Sequence, residues 1–200
     1  MRRFLPWIIV AVVIIYIFSW VKGINNTAVT SDQNVKEAWG NVQTAYQKRN
    51  DLIVNLVKTV KGAAEYEKGT LEAVIKARAE ASKTTIDPSN ITPEQLAKFN
   101  QAQSSLSRLL VTVEQYPSLQ ANTNFLKLQD EITSMENQIL TARTRYNEAI
   151  KPFNNNILTF PRNIIANFLG LKEKPYFEAV SGAEIAPNVD FDFDDSKDKK

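Results

Sequence analysis

Polar residues recur at helical spacing in two places. Asp51, Asn55, Lys58 and Gly62 fall at i, i+4, i+7 and i+11 with Arg49 beside them, and Glu136, Arg143 and Asn147 form a second stripe with Asn137 and Tyr146. Two such stripes facing each other could line a groove that takes a peptide or a partner helix without a metal. The favoured reading is an interhelical network of salt bridges and hydrogen bonds that sets helix register, as polar groups at coiled-coil positions do. Catalysis asks for more, namely a pair of groups whose pKa values are driven apart. The chain contains no histidine and no cysteine. That removes Ser/His/Asp and Cys/His nucleophiles, thiolate zinc sites, disulfides and the Glu-x-x-His dicarboxylate metal motif. Glu65, Glu67 and Glu72 cluster in sequence, but Glu-x-Glu on a helix points to different faces. No cofactor and no metal are expected, and the chain is read as a non-enzyme, with a carboxylate-dependent hydrolase as the enzymatic alternative.

The charge balance is equally restrictive. Lys+Arg number 24 against 22 Asp+Glu, a net +2, and Arg2, Arg3 and Lys22 alone supply +3. The rest of the chain is therefore at −1. A basic stripe of Lys48, Arg49, Lys58, Lys61 and Lys68 is diluted by Asp51, Glu65 and Glu67, so no nucleic-acid partner is expected.

Those stripes must be held by elements, and the first is apolar. From Phe4 to Val21, 16 of 18 residues are apolar or aromatic, Pro6 and Ser19 excepted, and none is charged. At ~1.5 Å per residue the run makes about 27 Å of helix, close to the ~30 Å hydrocarbon core of a bilayer. Trp7 and Trp20 fall where interfacial rings are favoured, and Pro6 sits in the first turn, where its missing N–H costs nothing. The sequence after the run, SWVKGINN, has no small-x-small cleavage site, so an uncleaved anchor over 1–22 is expected. Arg2 and Arg3 lean the N-terminus towards the cytoplasm and the remainder of the chain outside it. Residues 23–33 read as a juxtamembrane linker.

Beyond it lies a long heptad-like period. Val35, Trp39, Val42, Tyr46, Arg49, Ile53, Leu56, Val60 and Ala63 alternate spacings of 4 and 3, and Leu71 and Val74 extend the face towards Arg78. This predicts a first long helix of about 50 residues packed at a shallow angle, in which Gly40, Gly62 and Gly69 mark close approach or a break. A second helix starts at Thr92-Pro93-Glu94-Gln95, a capping box with proline at the first helical position, and stops at Tyr116-Pro117. A third carries Phe125, Leu128, Ile132, Met135, Ile139, Ala142, Tyr146 and Ala149, with Pro152 expected to kink or end it. A short fourth helix follows Pro161 and is capped by Gly170. Residues 181–200 close with DFDFDDSKDKK and should be disordered. No segment alternates with period 2, so the class is all-α: a long antiparallel bundle of three long helices and a short fourth, residues 34–180, behind one transmembrane helix.

The segments YQKRNDLIVNLVKTVKG (46–62), EQYPSLQANTNF (114–125), ENQILTARTRYNEAI (136–150), FPRNIIANFLG (160–170) and KPYFEA (174–179) together closely resemble, in order, the hallmarks of the LemA family. The resemblance implies a bacterial membrane protein with one N-terminal span and a long-helix bundle, in a family without agreed catalytic residues. The family often has a proline where Val54 stands and a histidine where Tyr66 stands, so a role carried by that histidine does not transfer here.

Folding the second helix back on a 50-residue first helix covers only its distal half. The stripe Trp39, Val42, Tyr46 and Ile53 then needs a cover: the C-terminal stretch with Phe168, Leu169, Tyr176 and Phe177, a second copy of the chain, or a partner protein. The functional expectation is a membrane-tethered scaffold or adaptor in the cytoplasmic membrane of the bacterial envelope, bound to the bilayer through its N-terminal helix and to a membrane or envelope protein. The alternative is a self-assembling membrane-surface protein whose seams join copies of itself.

Overall fold

The computed structural model describes residues 4–62, 68–84, 86–113 and 123–178. They form five helices and no strand: α1 (Leu5–Gly62), α2 (Lys68–Lys83), α3 (Pro93–Val113), α4 (Thr123–Leu158) and α5 (Arg162–Phe168). The all-α helical bundle is as expected. Arg2, Arg3, the Glu65–Glu67 cluster, Tyr66, the Tyr116-Pro117 stop and the 181–200 tail lie outside the described residues.

α1 is one helix of 58 residues, about 87 Å long. Its first part is the apolar run, whose side chains stand exposed on all sides (Ile8 58%, Ile14 61%, Phe18 70%), and it is long and apolar enough to cross a membrane. Residues 23–33, read from the sequence as a linker, are helix instead. Asn25, Asn26 and Thr27 are weak helix formers, but Ile24, Ala28 and Ser31 are buried and Thr27 and Thr30 return their hydroxyls to the carbonyls of Gly23 and Asn26. Tertiary burial overrides local propensity here. Gly40 is neither a break nor a close approach, since the helix runs through it and a β-carbon there would meet nothing within 4 Å.

α4 runs antiparallel to α1 and makes the main interface. Arg49 meets Glu136 and Trp39 meets Tyr146, so residues ten apart on α1 meet residues ten apart on α4 in reverse order. The seam expected on α4 is the one observed: Phe125, Ile132, Met135, Ile139, Ala142 and Tyr146 are buried and Leu128 and Ala149 half-buried. Pro152 does not end the helix, which continues to Leu158. A proline inside a helix costs about 3 kcal/mol, and the buried Ile150, Phe153 and Ile157 on either side of it offset that cost.

α2 corrects the expected 50-residue first helix. Arg78 Nε donates to the Asn50 carbonyl (3.2 Å) and Asn50 Nδ2 donates to Ser82 Oγ (3.4 Å), so α2 lies alongside α1 rather than extending it. The period continues unbroken because Val74, Ala77 and Ala81 join the same core as Ile53, Leu56, Leu106, Phe125 and Ile132. A hydrophobic period reports which face is buried, not where the chain reverses. The capping box is formed as read: Thr92 N–H donates to Gln95 Oε1 (3.1 Å), and Gln95 N–H to Thr92 Oγ1 (3.2 Å).

The larger core holds Trp39, Val42, Tyr46, Phe99, Tyr146, Ile150, Phe153 and Phe177. Of the four C-terminal residues offered as a cover, Phe177 provides it, stacked on Trp39 with centroids 5.9 Å apart, while Phe168 is 91% exposed and Leu169 and Tyr176 are also exposed. Segment 171–178 has no periodic structure of its own, so its backbone bonds go to amides of α4. Asn147 Nδ2 donates to the Phe177 carbonyl (2.9 Å) and its Oδ1 accepts from Phe177 N–H (2.8 Å). Asn154 holds Lys174 in the same two-way manner, at 2.9 and 3.0 Å. Lys174 is buried, pairs with Asp32 (2.6 Å) and donates to the Pro88 carbonyl (3.1 Å), tying the segment to α1 and the α2–α3 connection.

Burial acts to raise the Asp32 carboxyl, but the hydrogen bonds and charges of Lys174 and Lys36 (2.8 Å) outweigh it and hold it below the usual carboxylate range. Stability from this group is complete above its unfolded value of 3.8 and is lost as pH falls through the lower folded value. Melting scans of wild type and Asp32→Asn should therefore differ by a constant amount between about pH 5 and 7, and converge below about pH 4. Phe177→Ala, which uncovers Trp39, should cost about 3–5 kcal/mol in denaturant titration.

Candidate functional site: a buried arginine cluster and an open polar groove

Arg49 is carried into the interior by the α1 seam and is 1% exposed. Its Nη1 donates to Glu136 Oε1 and to Ser107 Oγ, both at 3.0 Å, and its Nη2 donates to Gln103 Oε1. Gln103 in turn donates to the Ala81 carbonyl (3.3 Å), and the guanidinium lies 5.0 Å from the Tyr46 ring centroid. One cation therefore joins α1, α3 and α4, with a link onward to α2. Gln103 and Ser107 were missed in the sequence, although both sit one turn apart on the apolar face of α3 with Phe99 and Leu106. A polar residue at a core position is the signal that could have found them.

The predicted polar residues divide. Arg49 and Glu136 meet. Arg143, Tyr146 and Asn147 serve the C-terminal segment instead: Arg143 donates to the Glu178 carbonyl (3.1 Å) with its guanidinium 4.6 Å from the Phe177 ring, and Tyr146 donates to the Pro175 carbonyl (3.4 Å). Asp51 and Asn55 are exposed on α1 and outside this cluster, and Asn137 faces away from it into the groove described below. The candidate interaction seam is corrected: Trp39, Val42, Tyr46 and Ile53 are core side chains, covered by this chain's own α3, α4 and Phe177 and by the α2 face.

A cavity of about 340 Å³ opens beside the cluster, between Tyr46, Arg49, Gln103, Ser107, Glu136 and Arg143. Its lining holds one carboxylate, Glu136, already committed to Arg49. Burial pushes the Tyr46 phenol above its ordinary value despite the Arg143 and Arg49 charges, and burial pushes Tyr146 up as well. Neither phenol is a base at neutral pH. The pair of groups with opposed pKa shifts that acid–base chemistry needs is not assembled among these residues.

A second concavity lies on the face of the α1–α4 pair that α2 and α3 leave open. It encloses about 580 Å³ between Asn41, Thr44, Ala45 and Lys48 of α1 and Ser134, Asn137, Gln138, Thr141, Ala142 and Arg145 of α4. Amide, hydroxyl and methyl groups at spacings of three and four make two low ridges, which is the surface a further helix packs into. Lys48 is level with Asn137 and Arg145 with Gly40, so a cation stands towards each end.

Comparison with known proteins bears on this geometry. Residues 38–191 match the model of the LemA family. The chain belongs to the LemA family. Among its relatives is Protein LemA of Metamycoplasma hominis, 28% identical over 165 residues covering 82% of this chain and 73% of that one. The magnetosome proteins MamQ 2 of Paramagnetospirillum magneticum and MamQ of Magnetospirillum gryphiswaldense are 28% and 25% identical, each alignment covering 76% of this chain. This chain spans 64% of each MamQ protein's length. The matched LemA region contains the arginine cluster, both walls of the groove, and α5.

A buried cation without its partner is costly, although Glu136 is 43% exposed and water screens part of the loss. Glu136→Gln should destabilise the bundle by about 1–3 kcal/mol. Arg49→Met combined with Glu136→Leu should recover most of that, since an apolar pair of similar volume commonly replaces a buried ion pair without loss. A double variant less stable than Glu136→Gln in denaturant titration would contradict the structural role of the cluster.

Proposed function

We propose that this LemA-family chain is a single-pass protein of the bacterial cytoplasmic membrane that works by binding, as a tethered scaffold or adaptor, with its bundle on the extracytoplasmic side. The observation that carries the reading is the open groove between α1 and α4, with small and polar walls and a cation towards each end. Such a surface fits a helix or extended segment of a membrane or envelope protein, polar in character and carrying acidic residues. The polar cluster supports binding over catalysis, because its one carboxylate is occupied in holding Arg49. The relatives named as magnetosome proteins are in keeping with a role at a membrane. The slight excess of basic residues before the apolar run supports the orientation.

A photo-crosslinking residue placed at Asn137, inside the groove, and at Glu148, exposed outside its lining, tests this in living cells. A discrete adduct from position 137 and none from 148 is expected. Lys48→Glu with Arg145→Glu should abolish that adduct while leaving the melting temperature within about 2 °C, since both side chains are exposed. Equal labelling from both positions, or no adduct from position 137, sinks the groove as the binding surface.

A further inference from the structure

The geometry points to a second membrane contact: the short helix α5 and the turns that flank it lie in the lipid headgroup layer, with Phe160, Ile164 and Phe168 inserted at the acyl boundary beside the membrane span. The first observation is exposure. Leu158, Phe160, Ile164, Phe168 and Leu169 are 53%, 80%, 61%, 91% and 42% exposed, five large apolar side chains within twelve residues, whereas the other exposed ones among the described residues of the bundle, Val29, Ile75, Leu126, Leu140 and Tyr176, are scattered over α1, α2, α4 and the C-terminal segment. Ile164 and Phe168 are one turn apart on α5, opposite Ala166, which is 1% exposed in the larger core. α5 is therefore anchored by one face and presents an apolar opposite face that none of the described residues covers.

The second observation is level. The register set by Arg49 with Glu136 and Trp39 with Tyr146 continues to Lys174, which touches Asp32 on α1 and lies 5.2 Å from the Phe153 ring of α4. Carried on, it sets Phe160 opposite Ile24 to Asn26, three to five residues beyond Val21 at the end of the apolar run. Along the α1 axis that is about 5–8 Å, within the ~5–8 Å headgroup layer on one side of a bilayer. Because α1 is unbroken between the span and the bundle, no hinge there lets α5 move away from this level.

The third observation is the polar frame. Lys22 and Arg162 are both exposed at this end and suit anionic headgroups. Gly170, at φ +69°, closes α5 with paired bonds from Gly170 N–H to the Asn167 carbonyl (3.1 Å) and Leu171 N–H to the Ala166 carbonyl (3.0 Å). The carbonyls of Ile165, Ala166 and Asn167 thus have partners within the chain, which lowers the cost of placing this helix end in the interface. A lipid surface is the occupant because the register of α1 and α4 sets the patch at the headgroup level, a few residues beyond the end of the apolar run.

The lack of cysteine makes the test direct. Single variants Ile164→Cys, Phe168→Cys and Gln138→Cys of the full chain, spin-labelled and reconstituted in vesicles of phosphatidylethanolamine and phosphatidylglycerol, are compared for collision with oxygen and with a water-soluble nickel chelate. Labels at 164 and 168 should show a several-fold higher oxygen-to-nickel ratio than the label at 138, at depths within about 5–10 Å of the headgroup boundary. Nickel accessibility equal to that at 138 would overturn the proposal. So would protection from both reagents that is lifted when labelled chains are diluted into excess unlabelled chain, which would assign the patch to a second copy. Circular dichroism confirms that each labelled variant is folded, and all three positions are exposed, so folding and insertion are read separately.

Discussion

A single unbroken helix supplies both the membrane span and one wall of the bundle's core. α1 leaves its apolar run at Val21, buries Ile24 and Ala28 within two turns, and reaches Trp39 and Arg49 without a change of element. The bundle cannot swivel about a loose tether, and everything that packs on α1 acquires a height above the membrane. α4 takes its register from α1 through the Arg49–Glu136 pair and the Trp39–Tyr146 contact, and α5 takes its level from the end of α4.

The two kinds of contact along α1 divide the work of stability and specificity. The aromatic group of Trp39, Phe99, Tyr146 and Phe177 supplies apolar area, with rings tilted, edge-on or stacked at centroid distances of 5.2–5.9 Å. Such packing is strong but tolerant of small slips. The Arg49 cluster is not tolerant, because a guanidinium that must reach Gln103, Ser107 and Glu136 at once accepts one register of three helices. Asn147 and Asn154 do the same for a segment with no secondary structure, exchanging both amide groups with its backbone.

Much of this was legible in the sequence where the signal is local or periodic. The Thr92–Gln95 capping box and the α4 seam are short-range patterns, and both stand as read. Gly170 likewise caps a short helix. The reversal between α1 and α2 was hidden because a heptad seam keeps its period whether a helix continues or folds back against its own core. Residues 23–33, expected as a linker, are helix because Ile24, Ala28 and Ser31 are buried against the bundle. The cover over Trp39 was foreseen as one of three choices, but the role of Asn147 and Asn154 in holding it could not be, since amide-to-backbone bonds leave no periodic trace. The open groove is a property of two helices together, and neither stripe alone announces it.

Rigid continuity of α1 from span to core is the claim on which the placement of α5 depends, and a distance across the junction tests it most directly. With Lys22→Cys and Thr44→Cys spin-labelled in the full chain in lipid nanodiscs, the 22 intervening steps of helix predict a single narrow distribution near ~33 Å. A broad distribution, or one centred well short of that value, would mean that the chain bends between membrane and bundle, and would contradict it.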